Sequence, residues 1–270
     1  MQVSNAFGQV QGAMSYFVDA YTTIAQWCSV VRRLDGFNRH VSEALDLKSD
    51  LMIDNASNIK VGIENVDVFL PNKNKDVLIK DCTIDLMNYQ SLLIMGASGV
   101  GKSTLLRTLA GLWPYAKGNV YLPKEEEFLF LPQRPYLPLG SLRQAISYPV
   151  VEEVISEKYS DEEIKEILIA CKLENLVDKL DIVDDWSRIL SLGEQQRIAF
   201  ARILLYRPEF VFLDEATSAL DEDLEGNLYD MLKIHLPNTK IISIAHRSSL
   251  IAKHQAILRL KEKGCWEIHE

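Results

Sequence analysis

No run in these 270 residues reaches the roughly 18 consecutive apolar positions that a bilayer-crossing helix needs. The amino terminus lacks the charged-then-apolar build of a secretory signal. Cysteine is scarce. Cys28, Cys82, Cys171 and Cys265 are widely scattered, which excludes zinc and redox spacings and predicts reduced thiols in a cytosolic compartment. No long basic run occurs, and 38 acidic residues outnumber 29 basic ones. The resulting net charge of −9 argues against a nucleic-acid partner. The acidic clusters at 125–127 and 161–163 read as solvated faces. What is present is 47% apolar content, enough for a substantial core in one large domain or two small ones.

Two short strings carry chemistry. Gly96-Ala-Ser-Gly-Val-Gly101-Lys102-Ser103 is a complete G-x-x-x-x-G-K-S loop. It follows an apolar run, residues 91–95, that reads as a buried strand, and it opens a helix at Ser103-Thr104. Gly96, Gly99 and Gly101 let the backbone turn its N–H groups, with that of Ser98 among them, toward one anion. Lys102 reaches the β- and γ-phosphates of a nucleoside triphosphate, and the Ser103 hydroxyl can ligate Mg²⁺. The second string, Val211-Phe-Leu-Asp214-Glu215, is an apolar strand ending in two carboxylates. Ligands collect at such strand ends in open α/β sheets. Asp214 is assigned to the metal, and Glu215 to polarising the attacking water. A glycine turn alone, or Asp-Glu alone as a helix cap, would be weak; together they define one site.

Several further motifs, in order, make residues 56–270 resemble the ATP-binding cassette (ABC) family. Gln133, in Leu131-Pro-Gln133-Arg-Pro-Tyr136, is similar to the glutamine that senses metal and nucleotide and faces a transmembrane domain. Leu190-Ser191-Leu192-Gly193-Glu194-Gln195 resembles the signature loop that closes over ATP held by a second copy, through Ser191 and Gly193. Asp221, in Ser218-Ala-Leu-Asp221, resembles the D-loop aspartate, and His246 the histidine that contacts the γ-phosphate. Leu109-Ala-Gly-Leu-Trp-Pro114 and Asp185-Trp-Ser-Arg-Ile-Leu190 further resemble the branch of peroxisomal fatty-acyl transporters and their bacterial half-transporter relatives.

The resemblance implies an ATPase using ATP and Mg²⁺, with Glu215, His246 and Gln133 as the catalytic set. It implies a homodimer with a second ATPase domain, a transmembrane-domain partner, and a place on the cytoplasmic face of a membrane, a bacterial inner membrane. It also implies ATP-driven transport as an exporter-type half-transporter. The alternative is a soluble ABC ATPase of DNA repair or translation. Two departures stand out. Leu192-Gly193-Glu194 stands where the general family prefers Gly-Gly-Gln, a substitution that resembles the branch just named, and Leu70, beside Phe69, stands where an adenine-stacking aromatic is expected.

The expected fold is α/β: a P-loop core sheet, an antiparallel β subdomain and a helical subdomain at about 140–190, preceded by an N-terminal amphipathic helix. Val10, Met14, Phe17, Tyr21, Ile24, Cys28 and Val31 repeat at spacings of four and three, one face of a helix. By resemblance that helix is the end of a transmembrane domain. Residues 38–57, rich in Ser, Asp and Asn, read as linker, which sets domains at 1–55 and 56–270. The apolar segments 59–70 and 77–86 flank a polar turn and predict a hairpin. Ser160-Asp-Glu-Glu163 predicts a capping box.

Overall fold

A computed structural model of the chain describes residues 2–45, 50–54, 60–72, 76–124, 127–149 and 159–270. The expected strand start at Ile59, part of the hairpin turn and the acidic pair 125–126 lie outside them. The chain divides into two compact units, Met1–Lys48 and Ser49–Glu270.

The first unit is α1 (Gln2–Leu45), 44 residues and, at about 1.5 Å per residue, roughly 66 Å long. Val10, Met14, Tyr21, Ile24 and Val31 of the expected stripe are exposed apolar side chains; that of Phe17 lies outside the described ones. A second set, Trp27, Val30, Leu34, Phe37 and Val41, repeats at spacings of three and four on another face and is also exposed. The C-terminal half of α1 thus presents apolar side chains on two faces rather than along one seam. No described helix is long and apolar enough to cross a membrane.

The second unit runs β1 (Asp50–Asp54), β2 (Gly62–Phe69), β3 (Val77–Asp85), β4 (Ser91–Gly96), α2 (Lys102–Leu109), β5 (Ala116–Tyr121) and β6 (Phe128–Leu131). Then come β7 (Gly140–Ser141), α3 (Leu142–Ser147), α4 (Asp161–Ala170), β8 (Val183–Asp184), α5 (Trp186–Ile189), α6 (Leu192–Tyr206) and β9 (Phe210–Asp214). The chain closes with α7 (Glu222–His235), β10 (Lys240–Ile244), β11 (Ala256–Leu260) and β12 (Trp266–His269).

The linker reading of 38–57 is corrected at both ends. α1 continues to Leu45, and β1 pairs parallel with β5, Asp50 opposite Lys117 through Asp54 opposite Tyr121. The second unit therefore begins before residue 56. Its smaller sheet has the order β1-β5-β2-β3. The predicted hairpin is β2–β3, and the layer is antiparallel except where β1 joins it. The larger sheet has the order β12-β11-β4-β10-β9-β6 and is parallel except at β12.

Burial on both faces explains the apolar runs. Along β9, Val211 and Leu213 enter the core shared with the helical subdomain, while Phe210 and Phe212 enter the core under α2 and the smaller sheet. Cys82 and Cys171 are buried within these cores, and burial pushes each thiol up to about 12, which leaves them inert. At the start of α4, Ser160 Oγ accepts the Glu163 amide at 3.1 Å, but the Glu163 carboxylate meets Arg207 at 3.3 Å. Only that half of the predicted capping box forms.

Candidate functional site

Four adjacent parallel strands, β4, β10, β9 and β6, point their C-terminal ends the same way. The phosphate loop leaves β4, His246 follows β10, Asp214 ends β9 and Gln133 follows β6. Motifs separated by more than a hundred residues thus converge on one sheet edge, where α/β sheets hold ligands.

The loop itself requires glycine at its two ends. Gly96 has φ 153°, and a Cβ there would sit 2.6 Å from the Leu260 carbonyl oxygen. Gly101, at φ 105°, caps α2 in the left-handed region, so the loop runs directly into a helix N-terminus. Ser98 and Gly99 lie on the exposed crest between them. Lys102 is buried, and its Nζ folds back to donate to the carbonyls of Gly96 (3.0 Å) and Ala97 (2.9 Å). Its charge therefore sits inside the loop's concavity. Burial lowers its pKa from 10.5, against the upward pull of Glu215 and Asp214.

Ser103 Oγ donates to Asp214 Oδ1 at 2.6 Å, and Asp214 is almost wholly buried. Arg107 approaches the other oxygen at 3.4 Å. A hydroxyl and a carboxylate side by side are hard oxygen donors, a set that fits Mg²⁺. Thr104, in the first turn of α2, contributes its carbonyl to Thr108 Oγ1 at 2.8 Å.

Glu215 has a positive φ of 53°, a strained conformation for a non-glycine residue. Its Oε1 meets His246 Nε2 at 2.9 Å, and its Oε2 accepts Gln133 Nε2 at 3.1 Å. The three side chains assigned to catalysis by sequence are therefore one hydrogen-bonded set.

Ser191, Gly193 and Asp221 do not join that set through any bond recorded for them. Ser191 caps α6, exposed, in a reciprocal box with Glu194. Gly193 packs beside the D-loop, where a Cβ would stand 3.4 Å from the Ala219 carbonyl oxygen. Asp221 caps α7, its Oδ1 accepting the Leu224 amide at 2.8 Å.

Three residues escaped the sequence reading. Gln196, fully buried, donates from Nε2 to the Gln133 carbonyl (3.0 Å) and to Ser218 Oγ (3.2 Å), while its Oε1 accepts the Ala219 amide (3.0 Å). One amide thus ties α6 to the Gln133 loop and the D-loop. Glu225, buried in α7, accepts Thr217 Oγ1 and Arg247 (3.2 Å), and Arg247 also donates to the Leu220 carbonyl (2.6 Å). That fixes the segment next to His246. For Gln196 and Glu225 the available signal was a polar side chain on a helix face otherwise apolar.

The ABC transporter family matches residues 79–218, just over half of the chain. An ABC transporter ATP-binding protein of Haemophilus influenzae is 49% identical over 191 residues, covering 71% of this chain and 31% of its own length. ATP-binding cassette sub-family D member 3 of Homo sapiens is 32% identical over 269 residues, covering 88% of this chain and 40% of its own. A bacterial Atm1-family ABC exporter with ATP bound superposes with TM-score 0.64, over 77% of this chain and 38% of that one; at 24% identity the likeness is one of fold. The chain spans less than half the length of each of these relatives.

Proposed function

The chain belongs to the ABC transporter family, and from that premise we propose that it hydrolyses ATP to power an exporter-type half-transporter. Two copies sandwich two ATP molecules on the cytoplasmic face of a membrane, a bacterial inner membrane, and act on a transmembrane domain. The transporter names of the relatives weigh against a role in DNA repair or translation.

The observation that carries the reading is the set Gln133–Glu215–His246 standing beside Ser103–Asp214. The loop amides and Lys102 bind and orient the phosphates. Ser103, Asp214 and Gln133 would hold Mg²⁺, which would supply positive charge to the phosphoryl oxygens. Glu215 accepts a proton from the attacking water. His246 and Gln133 each engage one oxygen of Glu215, which orients the carboxylate and leaves it lone pairs for the proton of the attacking water.

Glu215→Gln tests the reading, because it keeps size and hydrogen bonding but removes the proton acceptor. Turnover should fall at least about a hundredfold, with ATP binding retained. An ATP-dependent dimer should accumulate in size-exclusion chromatography with Mg-ATP. Undiminished turnover would reject Glu215 as the base. A monomer with ATP demonstrably bound, at every protein concentration, would count against the sandwich.

A further inference from the structure

Glu194 places a carboxylate beside the serine of the signature loop. Its Oε2 accepts both the Ser191 amide (2.9 Å) and the Ser191 hydroxyl (2.7 Å). Asn175 reaches its other oxygen at 3.4 Å. Burial raises its pKa, but the Ser191 hydroxyl and amide, Asn175 and Arg197 outweigh it, leaving the carboxyl below its ordinary value of 4.5. Glu194 is therefore an anion at neutral pH.

A serine hydroxyl has one hydrogen to donate. In this chain Ser191 gives it to Glu194, while its oxygen accepts the Glu194 amide at 3.3 Å. Under the sandwich reading, on which this argument rests, Ser191 must instead donate to the partner's γ-phosphate. Two things oppose that step. The Ser191 hydroxyl has to give up its bond to a carboxylate, and that carboxylate stays within one helical turn of the serine that meets the phosphate. Like charges set against each other across an interface are strongly unfavourable.

We infer that Glu194 is a built-in brake on closure of the ATP sandwich, holding the Ser191 hydroxyl and repelling the γ-phosphate of the opposing site. A purely structural role points the other way. A glutamate in the first turn supports the helix through its capping box and the macrodipole, so losing its charge would loosen the signature loop and weaken any dimer. The two accounts differ in sign.

Glu194→Gln separates them, because glutamine can still accept the Ser191 amide. The measurement is the dimer dissociation constant, by analytical ultracentrifugation of the full chain with Mg-ATP. It compares Glu215→Gln with Glu215→Gln/Glu194→Gln, each with and without Ser191→Ala. Removing the charge should tighten the ATP dimer roughly tenfold or more. With Mg-ADP, which lacks the γ-phosphate, the gain should vanish, and Ser191→Ala should reduce it to the share that comes from charge repulsion alone. An equal or weaker dimer in the double variant, while Glu215→Gln alone dimerises with ATP, overturns the brake and leaves the sandwich standing. No ATP-dependent dimer in any variant, up to the solubility limit, overturns the sandwich and the brake with it.

Discussion

Glu215 is held by His246 and Gln133, 31 and 82 residues away in the chain, whereas Ser191 is held by Glu194, three residues along. The first arrangement exists only when three parallel strands, β6, β9 and β10, are in register. The second needs one turn of helix. A group fixed by the whole sheet is a preorganised seat, because moving it means disturbing the core. A group fixed by its own helix cap can exchange that partner for an incoming one without touching the sheet. The phosphate cluster and the signature loop are thus suited to different tasks, holding and closing.

The largest break in that comparison should come from Lys102→Ala. It removes the ammonium inside the loop and leaves the carbonyls of Gly96 and Ala97 without their donor. ATP binding should weaken sharply and turnover should fall by roughly 10² to 10³ or more. Nucleotide titration with a turnover assay checks it, and near-normal turnover would overturn the phosphate-loop assignment. The fold of α6 and the Ser191–Glu194 box should be untouched.

Gln196→Ala cuts the link between the two regions. Three polar groups, the Gln133 carbonyl, Ser218 Oγ and the Ala219 amide, lose a buried partner. Leaving buried polar groups unmet costs about 1–3 kcal/mol. If Gln196 positions the Gln133 loop, kcat should drop about tenfold to a hundredfold while ATP affinity stays within about twofold. A parallel loss of ATP affinity would reduce Gln196 to a packing residue.

The phosphate loop and β9 were legible in sequence because their signals are local: glycines at fixed offsets, and an apolar run ending in carboxylates. β1 was not. Of its five residues only Leu51 is buried, and its pairing is decided by β5, more than sixty residues on. The partners of Gln196 were hidden for the same reason, since they lie 22 to 63 residues away. The periodicity that revealed α1 also concealed part of it, because a second apolar set begins at Trp27 on another face.

Acid should separate the two regions by pH window. His254 lies half-buried beside β10, its Nε2 3.1 Å from Ser243 Oγ, and desolvation lowers its pKa from 6.5 to about 4. Between those values the unfolded chain binds a proton that the folded chain does not, so stability falls as pH drops from 6.5 toward 4, by about 3 kcal/mol at most. Glu194 has a depressed pKa, so its contribution is complete above 4.5 and is lost only as pH falls further. Urea unfolding across pH 7 to 4 should show the loss, and His254→Gln should flatten it. An unchanged slope would mean that His254 protonates freely in the folded state.

The smallest effect should sharpen the holding half alone. Leu70 follows β2 and is exposed, its amide bonded to the Asp76 carbonyl at 2.9 Å, while Phe69 is half-buried with its carbonyl accepting Trp113 Nε1 at 3.1 Å. Of the two side chains, that of Leu70 is the more exposed and the better placed to face a base. Base–aromatic stacking contributes about 1–3 kcal/mol in nucleic-acid sites. Taking the low end, about 1 kcal/mol, Leu70→Tyr should tighten ATP binding about fivefold. ADP should gain the same factor, because it carries the same base, and the dimerisation response to Glu194→Gln should not change, because that response reads the γ-phosphate. Isothermal titration with both nucleotides decides it. No gain from Leu70→Tyr, combined with weaker binding in Phe69→Ala, would move the adenine platform onto Phe69.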